Sequence, residues 1–291
     1  MALKLMYITN DPKVAAIAEE AGVDRIFADM EYIGKADRQN GMDTVQSHHT
    51  VKDVRRLRQT LRKAELLVRV NPIHEKGSYM GIPHTSSKEE IDAVIEAGAD
   101  IVMLPYFKTI REVRDFADMV NGRAKTMALV ETVEAAGMIE EIAEMDGIDE
   151  VYIGLNDLSL EQGKTFMFQL LADGTVQELC RKICRVNAAT INTRKKRYGF
   201  GGIAAPGGGL LPAEYIIREH IHLGSGCVIL SRSFCNTSQI TDLKEIEEMF
   251  RDGVKAIREV EEGCAGYTDE DYKDNLICVK LGVQKILELK S

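Results

Sequence analysis

The sequence has no apolar run long enough to cross a bilayer and no excess of positive charge. No uninterrupted apolar segment approaches the roughly 20 residues of a membrane span, and the first apolar stretch reaches polar residues too early for a secretory signal. The 37 basic side chains are outnumbered by 46 acidic ones, which gives a formal net charge of −9. We therefore expect a cytoplasmic protein that binds neither membranes nor nucleic acid.

The sequence also lacks any CxxC pair among its six cysteines. A chain of 291 residues with 45% hydrophobic content can bury a large core without disulfide bonds. Cys180 and Cys184 lie one helical turn apart, which would suit a metal site, but a packed helix face is the interpretation that we adopt. We interpret all six cysteines as free thiols.

Short apolar runs alternate along the chain with amphipathic segments whose apolar residues recur at i, i+3 and i+4. This alternation is typical of repeated βα units. Turns from helix to strand share a glycine followed two residues later by an aspartate, as at Gly22 and Gly98. Eight strands are predicted, at residues 3–9, 25–31, 66–71, 101–106, 126–131, 150–155, 199–204 and 227–231.

A doubly wound open sheet would also fit this alternation. Eight units, with no GxGxxG sequence after the first strand, favour instead a closed TIM (β/α)₈ barrel. We predict this α/β barrel over residues 1–263 and a C-terminal helical extension over residues 264–291, with a helix at 268–289. We expect the extension to pack on a neighbouring subunit, so that the protein forms a homo-oligomer.

Polar side chains at the carboxyl ends of otherwise apolar strands are candidates for the active site, because barrel enzymes build their sites there. Four of the predicted strands end in such residues. They are Asp29 and Glu31 on the second strand, Arg69 and Asn71 on the third, Glu131 on the fifth, and Asn156 and Asp157 after the sixth.

Glu131 and Asp157 follow adjacent strands, so their carboxylates would repel each other unless a proton or a cation lies between them. Hard oxygen ligands of this kind suit Mg²⁺ or Mn²⁺, with water and substrate completing an octahedron. Arg69 would then offer a two-pronged contact to a carboxylate or enolate oxygen. Salt bridges of these acids with Arg69 and Lys108 around the barrel rim are the alternative, and the spacing leaves it open.

A Schiff-base aldolase would need a buried lysine near the end of a central strand. The sixth strand has none, Lys63 and Lys125 precede their strands, and Lys108 falls in a loop. This absence favours a metal-dependent route.

The longest predicted loops follow the second, third and seventh strands, where barrel enzymes place functional residues. The seventh-strand loop contains Gly207 to Gly209, which would suit either a phosphate cradle or a flexible lid. Four of the six histidines lie in the other two loops, including the neighbours His48 and His49.

Four segments resemble the HpcH/HpaI aldolase and citrate lyase family, which belongs to the phosphoenolpyruvate/pyruvate-domain barrel superfamily. The resemblance runs from about Ala16 to the C-terminal helix. The segments are Phe27-Ala-Asp-Met-Glu31, Val68-Arg-Val-Asn-Pro72, Val130-Glu-Thr-Val-Glu-Ala-Ala136 and Ile153-Gly-Leu-Asn-Asp-Leu-Ser159.

The resemblance implies a barrel in which Glu131 and Asp157 bind the metal. It implies that Arg69 binds the enolate and carboxylate of a pyruvate-like or acyl-CoA-derived nucleophile. Amides near Asn156 and Asp157 would hold the substrate carboxylate, and we add Glu31 to the substrate-binding residues. It also implies assembly through a C-terminal helix, which suits the predicted extension.

Two positions depart from the family pattern. Asn156 replaces a small residue before the aspartate, and Tyr32 replaces the histidine that directly follows the second-strand glutamate. Tyr32 has too high an unperturbed pKa to be a good base at neutral pH, so His48 or His49 would have to fold back over the mouth as a catalytic residue. The second-strand loop, with Lys35, suggests an anionic substrate.

We predict a carbon–carbon lyase or aldolase that depends on Mg²⁺ or Mn²⁺ and acts on a 2-oxo acid or related small carboxylate. An acyl-CoA lyase of the citrate or malyl type is the nearest alternative. A catalytically inactive barrel that binds carboxylates is the other alternative, because the usual histidine is missing.

Overall fold

The computed structural model describes residues 2–38, 48–189 and 195–290. Eight parallel strands close into a barrel with helices outside it, which confirms the predicted TIM fold. Each strand ends one or two residues before its predicted carboxyl end, where the chain turns into the loops. The barrel strands, in spatial order, are β1 (Lys4–Ile8), β2 (Arg25–Asp29), β3 (Glu65–Arg69), β6 (Ile101–Leu104), β7 (Lys125–Val130), β8 (Glu150–Ile153), β9 (Arg197–Ile203) and β10 (Cys227–Leu230).

A short antiparallel hairpin, missed from the sequence, occupies the loop after β3. It consists of β4 (Gly77–Tyr79) and β5 (Ile82–His84). Met80 and Gly81 form its tip with left-handed φ angles of 50° and 78°. Strands of three residues are too short to give a periodic pattern, so only the turn signal was available in the sequence.

Helices surround the barrel, and several begin at a residue whose side chain caps the first turn. Thr50, Ser86 and Thr109 each accept a backbone N–H three residues later in a capping box. The helices are α1 (Pro12–Glu20), α2 (Lys35–Arg38), α3 (Val51–Thr60), α4 (Ser87–Glu96), α5 (Ile110–Val120), α6 (Val133–Gly137), α7 (Ile139–Glu144), α8 (Leu155–Glu161), α9 (Gln169–Ala172), α10 (Thr175–Ala189), α11 (Ala213–His222), α12 (Leu243–Gly263) and α13 (Asp269–Lys290).

Apolar side chains fill two layers, because successive strand residues point alternately into the barrel and towards the helices. The larger layer lies between strands and helices. The inner layer consists of Met6, Phe27, Leu67, Ile101, Met103, Met127, Leu129, Tyr152 and Cys227. The barrel is therefore a packed core that supports a site at its open end.

Charged residues close the opposite, amino-terminal end of the barrel. Arg25 is fully buried and donates to both carboxylate oxygens of Glu150, at 2.7 and 2.6 Å, and to Glu65 at 2.9 Å. Arg197 also donates to Glu150, at 3.0 Å. These residues start strands β2, β3, β8 and β9, so they join strands that are distant in the sequence.

Replacing Arg25 with methionine is expected to reduce the free energy of unfolding by about 3 kcal/mol, because it leaves the buried Glu150 carboxylate without its main partner. Guanidinium unfolding followed by circular dichroism measures the change. Arg181→Met is the matched control, since Arg181 makes a similar two-pronged contact with Glu178 on the surface and should cost less than about 1 kcal/mol. Equal losses in the two variants would contradict the prediction.

The predicted C-terminal helix is confirmed as α13, which packs on α11 and α9 of its own chain. Val279 and Val283 are buried, and Asn275 donates to Glu219 at 2.7 Å. Ile277 and Leu281 are exposed. Packing of this helix on a neighbouring subunit stays a prediction.

The six cysteines are free thiols, as predicted, and Cys180 is buried in the helix packing of α10. Within the three described ranges, the helices are too short or too polar to cross a membrane.

Candidate active site

A cavity of about 550 Å³ opens at the carboxyl ends of the barrel strands. Its floor is formed by inner-layer residues, among them Phe27, Met103 and Leu129. Its polar walls contain most of the residues selected from the sequence, namely Asp29, His49, Arg69, Glu131, Asn156 and Asp157. The closed barrel thus brings together side chains that are up to 128 positions apart in the sequence, from Asp29 to Asp157.

Asp29 and Arg69 form the centre of one wall. They are directly paired in the register of β2 and β3, and Arg69 donates from Nε and Nη2 to the two carboxylate oxygens of Asp29, at 2.8 Å each. The guanidinium group lies 5.6 Å from the ring centre of Phe27. Two parallel hydrogen bonds and the ring below hold Arg69 in one orientation.

Lys35, at the start of α2, adds a second cation. From the sequence, this residue was predicted only to belong to a loop near an anionic substrate. Its Nζ atom lies 3.0 Å from Asp29 Oδ2 and 3.4 Å from Glu31 Oε2. Arg69 Nη1 lies 3.3 Å from the same Glu31 oxygen. The i, i+4 spacing of Glu31 and Lys35 was the signal that could have identified this pair.

These four charged groups, Asp29, Glu31, Lys35 and Arg69, are called the ion-pair wall below. Burial by itself would raise the pKa of Asp29, but the charges and hydrogen bonds of Arg69 and Lys35 lower it far below its usual value. Burial likewise opposes the charge of Arg69, and the carboxylates of Asp29 and Glu31 more than compensate, so its pKa is raised well above normal. Asp29 and Arg69 therefore stay charged at neutral pH, and Asp29 is not available as a base.

Glu31 is almost fully buried and is not among the described residues that line the cavity. Its carboxylate contacts Lys35 and Arg69 without lining the cavity itself. Asn71, another residue at a strand end, is also buried: its Oδ1 accepts the backbone N–H groups of Tyr32 and Ile33, at 2.9 Å each. This contact fixes the turn after Glu31.

The same turn directs Tyr32 towards the β4–β5 hairpin, where its ring lies 6.3 Å from that of Tyr79. Tyr32 is not one of the described cavity-lining residues. Tyr32, which stands where the HpcH/HpaI pattern has a histidine, is therefore not part of the cavity wall that the described residues form.

Glu131 and Asp157 line another wall of the cavity, at the ends of β7 and β8, which β6 separates from β3. Pairing of Val130 with Ile153 sets Glu131 beside Gly154, and Glu131 Oε1 accepts the backbone N–H of Tyr106 at 3.0 Å. Asp157 lies in the first turn of α8 and is 9% exposed. Asn156 Nδ2 lies 3.5 Å from Asp157 Oδ1. Two carboxylates from adjacent strand ends thus line one cavity.

The donor set on this wall fits a hard divalent cation. No group of three or more His, Cys, Asp or Glu side chains suited to a metal occurs within the described residues, but Mg²⁺ is often held by one or two carboxylates, with water and substrate oxygens filling the other positions. A Cβ atom at Gly154 would lie only 2.9 Å from Glu131 Oε2. The absence of a side chain at this position gives the Glu131 carboxylate its space.

Gly154→Ala is expected to displace the Glu131 carboxylate and to reduce activity about 100-fold, since small misplacements of a catalytic group have effects of this size. Isothermal titration with Mn²⁺ and an activity assay measure both consequences. Gly263→Ala is the control, because a Cβ there meets no atom within 4 Å. Wild-type Mn²⁺ affinity in Gly154→Ala would refute the role assigned to this glycine.

The rim salt bridges that the sequence left open exist with other acids. Lys108 Nζ lies 2.9 Å from Glu161 and 3.4 Å from Glu134. Arg69 pairs with Asp29 and Glu31, as described above. Rim salt bridges of the predicted kind therefore exist for Arg69 and Lys108. Glu131 and Asp157 line the cavity.

The two neighbouring histidines are separated by the fold. His49 is half-buried and lines the cavity, whereas His48 is exposed and is not one of the described lining residues. His49 Nδ1 accepts the backbone N–H of Asp29 at 2.9 Å. The residues between α2 and His48, at positions 39–47, lie outside the described ranges.

The glycine loop after β9 lies apart from the cavity, since Gly207 to Gly209 are not among the described lining residues. The backbone N–H of Gly207 donates to Glu214 Oε1 at 2.7 Å. Because this N–H group already donates to a carboxylate, it is not available to a phosphate, which weakens the phosphate-cradle interpretation. The cavity wall on this side is formed by the loop after β10, with Ser231, Asn236 and Thr237.

A family model described as HpcH/HpaI aldolase/citrate lyase matches residues 4–169, which is more than half of the chain. Among curated proteins, the chain is similar to a hydroxypyruvate/pyruvate aldolase from Sagittula stellata, with 28% identity over an alignment 110 residues long. That alignment covers 28% of this chain and 44% of the aldolase. The chain thus matches less than half the length of this relative.

Solved structures share the fold at low sequence identity. An HpcH/HpaI aldolase from Desulfitobacterium hafniense is 19% identical with a TM-score of 0.55, and the match covers 84% of this chain and 93% of the aldolase. The citrate synthase SbnG is 16% identical with a TM-score of 0.57, covering 85% of this chain and 94% of the synthase. At these identities the structures establish the common fold alone.

Proposed function

The chain belongs to the HpcH/HpaI aldolase/citrate lyase family, and on this premise we propose that it makes or breaks a carbon–carbon bond next to a pyruvate-like enolate, with a divalent metal. The family consists of carbon–carbon lyases and aldolases. The metal and the 2-oxo acid substrate are our specific proposals. The Sagittula stellata relative is described as a pyruvate aldolase, which agrees with a 2-oxo acid.

One observation carries the proposal: the cavity has a cationic contact, Arg69, on one wall and two carboxylates, Glu131 and Asp157, on the other. The charge of Arg69 interacts with Glu131 as well as with Asp29 and Glu31. A 2-oxo acid has a carboxylate and a neighbouring carbonyl oxygen, and this pair of groups needs a fixed cationic donor together with an electrophile. The two walls match these two needs.

Glu131 and Asp157 would hold Mg²⁺ or Mn²⁺, which supplies a Lewis acid for the developing enolate oxygen when bound. Arg69 is kept in place by Asp29 and donates to the carboxylate or enolate oxygen of the substrate. The apolar floor formed by Phe27 and Met103 excludes water, which strengthens both electrostatic contacts. Asn156 lies beside Asp157 and adds an amide donor for the substrate carboxylate.

Two alternatives remain as competing proposals. An acyl-CoA lyase of the citrate or malyl type would use the same walls, with a long substrate entering through the open side of the cavity. A carboxylate-binding barrel without turnover is supported by Tyr32, which replaces the family histidine and packs on the hairpin.

Proton exchange in deuterated water distinguishes these proposals. A lyase that forms the enolate should exchange the methyl protons of pyruvate with solvent deuterium in the presence of Mg²⁺ or Mn²⁺, as followed by proton NMR. The exchange should stop with a chelator and in Asp157→Ala. Binding of pyruvate without exchange would support the binding module. Absence of both exchange and binding would reject pyruvate and favour acyl-CoA substrates.

A further inference from the structure

His49 reaches the cavity from the segment before α3 and is tied to the end of β2 by two hydrogen bonds. The backbone N–H of Asp29 donates to His49 Nδ1 at 2.9 Å. The backbone N–H of His49 donates to the carbonyl oxygen of Asp29 at 3.3 Å. The imidazole ring is therefore fixed against β2, beside the ion-pair wall.

The contact at Nδ1 also fixes the tautomer of the ring. A peptide N–H group can only donate, so Nδ1 is unprotonated and the neutral imidazole carries its proton on Nε2. Burial lowers the pKa of His49 and outweighs the opposite effects of Asp29 and Asp53, while Lys35 and His48 lower it further. The net effect lowers the pKa of His49 and favours the neutral form of the ring.

We propose that His49 is a hydrogen-bond donor of the active site, which presents its Nε2–H group to a carbonyl or carboxylate oxygen of the substrate. Nδ1 faces the backbone of β2, so the other nitrogen is the one available to the cavity that the ring lines. Within the described part of the chain, Nε2 makes no hydrogen bond of its own. The inference rests on the proposed function and assigns a role within that same site.

This role differs from that of a general base. Accepting a proton at Nε2 would require a proton shift in the ring, and accepting one at Nδ1 would break the contact with the Asp29 backbone. Asp29 consequently positions three donors: its carboxylate holds Arg69 and Lys35, and its peptide group holds His49. Three donors, from Arg69, Lys35 and His49, thus line this side of the cavity, which suits an oxygen that gains negative charge during the reaction.

Amide substitutions separate the two ring nitrogens. The side-chain nitrogen of glutamine reaches the Nε2 position, whereas the side-chain oxygen of asparagine reaches only the Nδ1 position. We expect His49→Gln to keep kcat for pyruvate proton exchange within about 10-fold of wild type and His49→Asn to lose about 100-fold. His222→Gln, on the exposed surface of α11, is the control. Equal losses in the two His49 variants would overturn the donor role.

A second readout does not require turnover. Nitrogen-15 NMR of labelled histidine, with the His49 signal assigned by its loss in His49→Gln, should show the Nε2–H tautomer above about pH 7, since the pKa of His49 lies below its usual value of about 6.5. Addition of pyruvate with Mg²⁺ should shift this Nε2 signal. An Nδ1–H tautomer, or no shift with bound pyruvate, would overturn the inference. An inactive wild type with the expected tautomer and shift would instead count against the proposed lyase activity alone.

Discussion

Glu131→Gln is expected to reduce metal-dependent proton exchange of pyruvate by about 10³-fold, which corresponds to roughly 4 kcal/mol of lost transition-state stabilisation. Glutamine preserves the size of the side chain and can still accept the Tyr106 N–H through its carbonyl oxygen. The change therefore removes negative charge from the metal-facing wall while the local fold is retained. Asp157→Asn should have an effect of the same order.

Exchange rates and Mn²⁺ affinity, measured side by side, test this prediction. Both should fall in Glu131→Gln, and circular dichroism should be unchanged. Glu134→Gln is a matched control three residues further along the chain, because Glu134 is exposed and pairs with Lys108 at the rim. If Glu131→Gln bound Mn²⁺ and exchanged protons like the control, the assignment of this wall as the metal site would be wrong.

Arg69→Lys is expected to lower kcat/KM by about 100-fold, with only a small change in stability. A lysine retains one positive charge near Asp29 but cannot form two parallel hydrogen bonds with that carboxylate and donate to the substrate in a fixed orientation. Arg181→Lys provides the control, since Arg181 makes the same two-pronged contact with Glu178 on the exposed face of α10. Equal activities of the two variants would contradict the substrate-orienting role.

Arg69→Met should instead destabilise the fold, by about 3 kcal/mol, because the buried carboxylates of Asp29 and Glu31 would lose the guanidinium group while keeping their contacts with Lys35. The pH dependence gives a second readout. The lowered pKa of Asp29 means that its ion pairs stabilise the folded state above the unfolded value of about 4. That contribution is lost as the pH falls through the folded value, and Arg69→Met should reduce it. Guanidinium unfolding at a series of pH values measures both effects.

The sequence predicted the barrel well because its signals are local. Each strand is a short apolar run between helix-like segments, and glycine turns such as that at Gly22, with a φ of 98°, stop one helix before the next strand begins. The β4–β5 hairpin was missed because strands of three residues are too short to show an alternation of apolar and polar residues. The sequence placed Glu131 and Asp157 at adjacent strand ends for the same local reason, and both line the cavity.

The chemical groups at the carboxyl ends of the strands can be identified from the sequence, because the ends of apolar runs mark where parallel strands stop. How these groups are arranged depends on the folded chain. The turn held by Asn71 directs Tyr32 out of the cavity, and the return of the chain before α3 brings His49 in. Closure of the barrel and the paths of its loops set contacts between residues 20 to 40 positions apart, such as Asp29 with His49 or Arg69, and no local pattern encodes such distances.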